Sequence, residues 1–187
     1  PRQACRPCQD LLQEPCPYGR TGVCVMVPRG SFWKPVLIAA SVAIFIAVLG
    51  GTLTDTGPWY QGLRKPSWQP PDWLFGPAWT VIFALATASA VYAWRHADSR
   101  SQREWVIALF ALNGFLNVLW STLFFALKRP DWALAEVVFL WLSILLPIIV
   151  FWRFARPASL YLLPYLLWVS FAAFLNLTIV RLNAPFS

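Results

Sequence analysis

Five stretches of this chain are long, apolar and nearly free of charge, and no other feature constrains its fold as tightly. Residues 35–54, 74–94, 105–127, 132–152 and 157–180 each reach the ~20 residues needed to cross the hydrocarbon layer of a bilayer, and only Glu136 interrupts any of them. In hydrocarbon every backbone N–H and C=O has to be satisfied within the segment, so such stretches fold as helices. The predicted fold class is therefore all-α: a polytopic, multi-pass integral membrane protein built as a bundle of five transmembrane helices. Only 12% of the residues are charged, against about a quarter in a water-soluble domain, which makes lipid the main solvent. The net charge of +7 does not point to nucleic acid, because the basic residues fall between the apolar spans as helix-end anchors rather than in one stripe.

Residues 1–30 read differently. They hold all four cysteines (Cys5, Cys8, Cys16, Cys24) with Pro, Gly and Arg, and they lack the apolar core of a signal peptide. Cys5 and Cys8 form a C-x-x-C, but there is no second pair and no nearby histidine, so the zinc spacing is incomplete. The expected organisation is a disordered or non-native extension over 1–30, followed by a transmembrane domain over 31–187. The chain does not begin with methionine, which leaves Met26 as a candidate start, and the run from Val27 to Ser31 resembles the core of an engineered protease site.

Pro130 and Pro157 stand where the fourth and fifth helices should begin, a position at which a missing N–H costs little. Pro147 and Pro164 lie inside spans and should kink or locally unwind them. The connection over residues 55–73 is the one long loop, rich in Pro and Trp, and reads either as an aromatic belt at the headgroups or as a lid over a pocket. Lys and Arg counts in the short loops give a small excess on the side of the N-terminus and the second and fourth loops, which orients that side toward the cytoplasm. Ala39, Ala43 and Ala47 make a smooth stripe on the first helix, either an internal seam or a dimer face, and Ala84 and Ala88 make a second.

The spans contain no His and no Cys and a single carboxylate, which removes the usual apparatus of metal binding, nucleophilic catalysis and carboxylate-pair catalysis. His96, beside Arg95, reads as an interfacial residue. Glu136 reads as interfacial too, near Lys128 and Arg129, although an ionisable group in a span is also a functional candidate. Tryptophan is the abundant reactive group, with 12 in the chain. Indole stacks on planar ligands and donates one N–H, and paired indoles, being easily oxidised, offer radical or photo-oxidative chemistry. Asn113, Asn117 and Asn176 are either interhelical hydrogen-bonding groups or the polar contacts of an apolar pocket.

Particular strings carry a resemblance. Trp59-Tyr60, then Leu63-Arg-Lys-Pro-Ser-Trp68, Pro70-Pro71, Trp73-Leu-Phe-Gly-Pro77 and Trp79-Thr80 occur in order, followed by Leu112-Asn113, Asn117, Trp120-Ser121 and Phe124-Phe125. Pro164-Tyr165, Trp168, Phe171-Ala172, Leu175-Asn176 and Arg181-Leu182-Asn183 complete the series. Over about residues 33–183 the chain resembles the tryptophan-rich sensory protein / translocator protein family, also known as the peripheral-type benzodiazepine receptor family. The resemblance implies a five-helix bundle, often a homodimer, with a pocket opening toward the first loop and a porphyrin such as protoporphyrin IX, a sterol or another lipophilic molecule as ligand. Family pocket positions fall on Trp79, Phe83, Asn113, Trp120, Trp168, Ala172 and Leu175. The resemblance also implies, for some members, light-dependent porphyrin degradation with Trp79 and Trp168 as the catalytic pair. The family's cholesterol-recognition stretch keeps Arg181 here but has Leu177 in place of its Tyr, which makes sterol the weaker implication.

In a five-span topology Arg64, Lys65, Lys128, Arg129 and Arg181 share one side, so Arg64, Lys65 and Arg181 are candidate cations for porphyrin propionates. Without His, Cys or Met in the spans there is no ordinary axial ligand for haem iron, and a metal-free porphyrin is the expected choice. No metal or cofactor is expected. The leading expectation is a membrane porphyrin-binding sensor or transporter. The alternatives are a porphyrin-degrading enzyme that uses pocket tryptophans and a membrane interaction protein that assembles through its small-residue faces.

Overall fold

The computed structural model describes residues 33–186; the expectations for residues 1–30 lie outside them. Six α-helices follow in order: α1 (Trp33–Leu53), a short α2 (Pro58–Gly62), α3 (Phe75–Arg95), α4 (Arg100–Ser121), α5 (Pro130–Trp152) and α6 (Arg156–Asn183). A 3-10 turn (Asp72–Leu74) leads into α3, and a π-helical turn (Thr122–Ala126) prolongs α4. Among the described residues there are no strands, and five helices (α1, α3, α4, α5 and α6, with their extensions) are long and apolar enough to cross a membrane. These five coincide with the five apolar stretches, and α2 is an element of the first loop.

The helix starts follow local chemistry. Ser99 caps α4 by accepting from the Gln102 N–H at 3.1 Å, while the Gln102 side chain accepts from the Ser99 N–H, a reciprocal pairing that satisfies two otherwise orphaned donors. Pro130 and Pro157 occupy the first turns of α5 and α6, where proline is preorganised for a helix. Pro147 and Pro164, expected to kink or locally unwind their helices, lie inside α5 and α6, which continue through them without unwinding. The irregularity falls instead at the end of α4, where the Leu127 N–H reaches back five residues to the Thr122 carbonyl at 2.8 Å. Lys128 then takes a left-handed conformation with φ 55° and closes the helix, as a C-terminal residue of this kind commonly does.

The core lies between α4, α5 and α6. Leu109, Val137, Leu140, Ile144, Phe151, Leu162, Tyr165 and Val169 are buried there, and α3 adds Ile82 and Ala93. Two hydroxyls stitch the backbones together: Ser89 of α3 donates to the Ala158 carbonyl and Ser159 of α6 donates to the Ile148 carbonyl, both at 2.8 Å. α1 is different, with not one fully buried side chain. It comes close at Gly114 of α4, where an added Cβ would collide with Ile46 Cδ1. Leu37, Ile38, Val42, Ile44, Phe45 and Val48 of α1 are exposed, as side chains facing lipid are.

Candidate functional site

Between α1 and the packed helices lies a cavity of about 800 Å³. α1 contributes small residues (Ala40, Ala43, Ala47, Gly50), α3 gives Trp79 and Phe83, α4 and its π-turn give Asn117, Trp120, Phe124 and Phe125, and α6 gives Trp168, Ala172, Leu175 and Asn176. Tyr60 and Asp72 of the first loop close one end. Of the stripe on α1, Ala43 and Ala47 line this cavity and Ala39 does not; Ile44 and Ile46 are the larger side chains that α1 adds to the wall. Ala84 lines the same cavity from α3.

The aromatic groups are held by one another. Trp79 stacks on Phe83 at 5.5 Å between centroids and meets Tyr165 edge-on at 6.0 Å. Trp120 stacks on Phe124 at 5.1 Å. Trp168 meets Phe75 edge-on and leans on Phe171, each at 5.7 Å. In the π-turn, Phe125 meets Tyr60 at 5.6 Å and Trp120 at 6.1 Å, while Phe124 meets Trp59 edge-on at 6.2 Å.

Asn113 is not in the cavity wall. Its amide donates to Ser143 Oγ at 2.8 Å and its oxygen accepts from the Tyr165 hydroxyl at 3.3 Å, while Asn117 donates to the same hydroxyl at 3.0 Å. These four side chains tie α4, α5 and α6 into one buried polar network. Asn176, with its amide in the orientation that satisfies both ends, donates to the Pro130 carbonyl and accepts from the Leu134 N–H, each at 3.1 Å. Asn117 and Asn176 thus serve both as interhelical links and as polar points of the cavity.

The first loop is a folded lid. Asp72 is its hub: it accepts from the Tyr60 hydroxyl at 3.4 Å and from the side-chain amides of Gln61 and Gln69, each at 3.2 Å. Burial, followed by the Asp72 charge, pushes the Tyr60 hydroxyl up to about 12. The Asn183 side chain, at the end of α6, clasps the Arg64 backbone from both sides, accepting from its N–H at 2.8 Å and donating to its carbonyl at 2.9 Å. The cations expected at the mouth do not line the cavity. Lys65 lies over the Tyr60 ring at 3.7 Å, and Arg64 and Arg181 are exposed nearby on the same side of the bundle.

Glu136, expected beside Lys128 and Arg129, has no ion pair with either. It is buried, and Arg129 is engaged by Asp131 instead, donating through Nε at 2.9 Å. His96 bonds the Tyr92 carbonyl and stacks on the Tyr92 ring at the end of α3. Among the described residues no cluster of His, Cys, Asp and Glu is arranged to hold a metal. The residues that sequence reasoning passed over are Ser143, Tyr165 and Asp72. The first two carried a signal, as polar groups inside apolar spans; Asp72 had none.

The cavity is roofed by a Trp- and Pro-rich loop and walled by five spanning helices, and the TspO/MBR family model matches residues 37–182, the stretch that builds it. The chain belongs to the TspO/MBR family. Relatives include the tryptophan-rich protein TspO of Chlorobaculum tepidum, 40% identical over 150 residues that cover 78% of this chain and 95% of that protein. Protein CrtK of Rhodobacter capsulatus is 35% identical over 142 residues, 76% of this chain and 89% of its own length. The translocator protein of Homo sapiens is 29% identical over 126 residues, 67% and 75% of the two chains. This TspO/MBR chain is thus a multi-pass integral membrane protein whose relatives bear the names of sensory and translocator proteins.

Proposed function

We propose that the protein is a membrane sensor or transporter that binds a porphyrin, such as protoporphyrin IX, in the cavity beneath the first loop, and that it works as a homodimer. The observation that carries this reading is the cavity itself: about 800 Å³, within the range of small-molecule sites, and walled by broad aromatic faces from three elements. Flat apolar macrocycles gain from such faces by stacking. Arg64, Lys65 and Arg181 sit on the loop side, where propionates can reach cations without entering hydrocarbon. The test is a titration of the protein in nanodiscs with protoporphyrin IX, followed by visible absorbance and tryptophan quenching. Saturable binding supports the reading, and no saturable binding rejects it.

A second reading, oxidative degradation of the porphyrin, is favoured by one observation: Trp79 and Trp168, on different helices, both line this cavity. The same titration under illumination separates the two. Stable absorbance means binding alone, whereas loss with a new product band means turnover. In the second case replacing either tryptophan with Phe keeps binding through stacking and suppresses the loss, because phenyl is far harder to oxidise.

A further inference from the structure

Glu136 is the one acidic side chain that is buried among the described residues. It lies six residues into α5, about 9 Å along the helix from Pro130. It is 6% exposed, neither carboxyl oxygen has a hydrogen-bond partner, and it makes no ion pair. The elements packed against α5 offer no compensating charge. α4 carries no titratable side chain from Val106 to Ser121 and the π-turn carries none. On α6 the one buried titratable group is Tyr165, whose hydroxyl is already engaged by Asn113 and Asn117, while Arg156 and Arg181 are exposed at its ends. On α5 itself Asp131 is paired with Arg129, which also lies over the Trp132 ring at 4.4 Å. An ionised carboxylate without partners in such surroundings is strongly disfavoured, whereas the protonated acid is neutral.

A second orphan lies at the same level. The bond from Asn113 to Ser143 fixes the antiparallel register of α4 and α5. Seven residues, two helical turns, along each helix from that bond lead to Trp120 on α4 and Glu136 on α5. The Trp120 indole N–H is also buried and without a partner. Its ring forms part of the cavity wall. A donor and an acceptor, both desolvated and both unsatisfied, thus stand at one layer of the same seam, and one of them belongs to the ligand cavity.

We propose that Glu136 is a proton-binding site at the α4–α5 seam, and that it shares Trp120 with the cavity, so that protonation and cavity occupancy are linked. The protonated carboxyl is neutral and leaves the indole in the wall. Loss of the proton to solvent leaves a buried charge that the unpartnered Trp120 N–H, at the same layer, is free to meet, which draws the ring toward the seam and away from a ligand. Affinity for a cavity ligand therefore falls as pH rises through the titration, by at most about tenfold per pH unit for one proton. The linkage, unlike the proton site, rests on the porphyrin reading given above.

Infrared spectroscopy of the full chain in nanodiscs tests the site without any ligand. The expected result is a protonated-carboxyl C=O band that titrates with pH in the wild type, is missing in Glu136→Gln, persists in Glu136→Asp and shifts in Trp120→Phe, which keeps a ring but removes the donor. A wild type without such a band, or a Glu136→Gln protein that retains it, overturns the proton site; a band indifferent to Trp120→Phe overturns the pairing. The linkage is read from binding of protoporphyrin IX dimethyl ester, whose propionates cannot titrate. Its affinity should fall with rising pH in the wild type and stay flat in Glu136→Gln, and a flat wild type overturns the linkage. If the ester and the free porphyrin both fail to bind, the porphyrin reading and the linkage built on it fall together, and the infrared arm still decides the proton site.

Discussion

Single side chains divide into those that shape the cavity and those that hold its frame. Ala172 follows Trp168 by one turn of α6, so both lie on one helix face and both line the cavity. Ala172→Leu should fill the space a ligand needs and weaken porphyrin binding, with overpacking of about 1–3 kcal/mol as the scale, while thermal stability in detergent changes little. Wild-type affinity in a well-folded variant would remove Ala172 from the site. Asn113 belongs to the frame. Interhelical hydrogen bonds in membranes average about 0.6 kcal/mol and rarely exceed about 1.7, and Asn113 makes two of them. Asn113→Ala should therefore cost roughly 1–2 kcal/mol in denaturant unfolding and leave porphyrin affinity close to the parent value; the reverse pattern would return it to the pocket. The sequence could identify Asn113 as a polar group in a span, yet not its direction. One turn apart on α4, Asn113 and Asn117 look equivalent until the partner helices are in place, and those partners, Ser143 and Tyr165, sit 30 and 48 residues away in the chain.

At the scale of elements, the spans were legible because each needs only its own composition to declare itself, and the proline-marked starts of α5 and α6 were legible for a similarly local reason. The π-turn was not. Nothing in Thr122–Ala126 differs in kind from its neighbours, and its altered hydrogen bonding reflects the close of α4 at Lys128 together with packing against α5. The lid is intermediate: its aromatic and proline content marked it as ordered, but the hub at Asp72 depends on three side chains converging in space. This hub has a pH signature. The Tyr60 hydroxyl is raised in the folded lid, so the stability it contributes is whole below its ordinary value near 10 and is lost as pH climbs toward about 12. The lid should loosen over that interval, seen as a step in tyrosinate absorbance accompanied by faster ligand release. Tyr60→Phe should bind somewhat more weakly at neutral pH, having lost its bonds to Asp72 and Gln69, and should lack the alkaline step. An unchanged step in that variant would assign the transition to another group.

For the molecule as a whole, charge gathers at the helix ends and the cavity is apolar, which separates two contributions to binding. Exposed ion pairs are worth about 0–1 kcal/mol each and weaken with salt, so changing Arg64 and Lys65 together to Gln should reduce affinity for the free porphyrin several-fold and flatten its salt dependence. A dimethyl ester should bind parent and variant nearly alike at a fixed pH. Equal losses for ester and acid would mean that the two residues support the lid, a role for which Lys65 over Tyr60 is already placed. The walls differ in stiffness as well as in charge. α3 to α6 are locked by buried hydroxyls, amides and a close-packed core, whereas α1 buries no side chain fully. A chamber with one yielding side does not act as a mould. Guests of different girth can be admitted by displacing α1 into lipid, where its outward side chains exchange one hydrocarbon neighbour for another at little cost. Discrimination by outline should consequently be poor, with selectivity exerted from the rigid side by ring faces and amides; similar affinities for ligands of the same chemistry but different girth would bear this out.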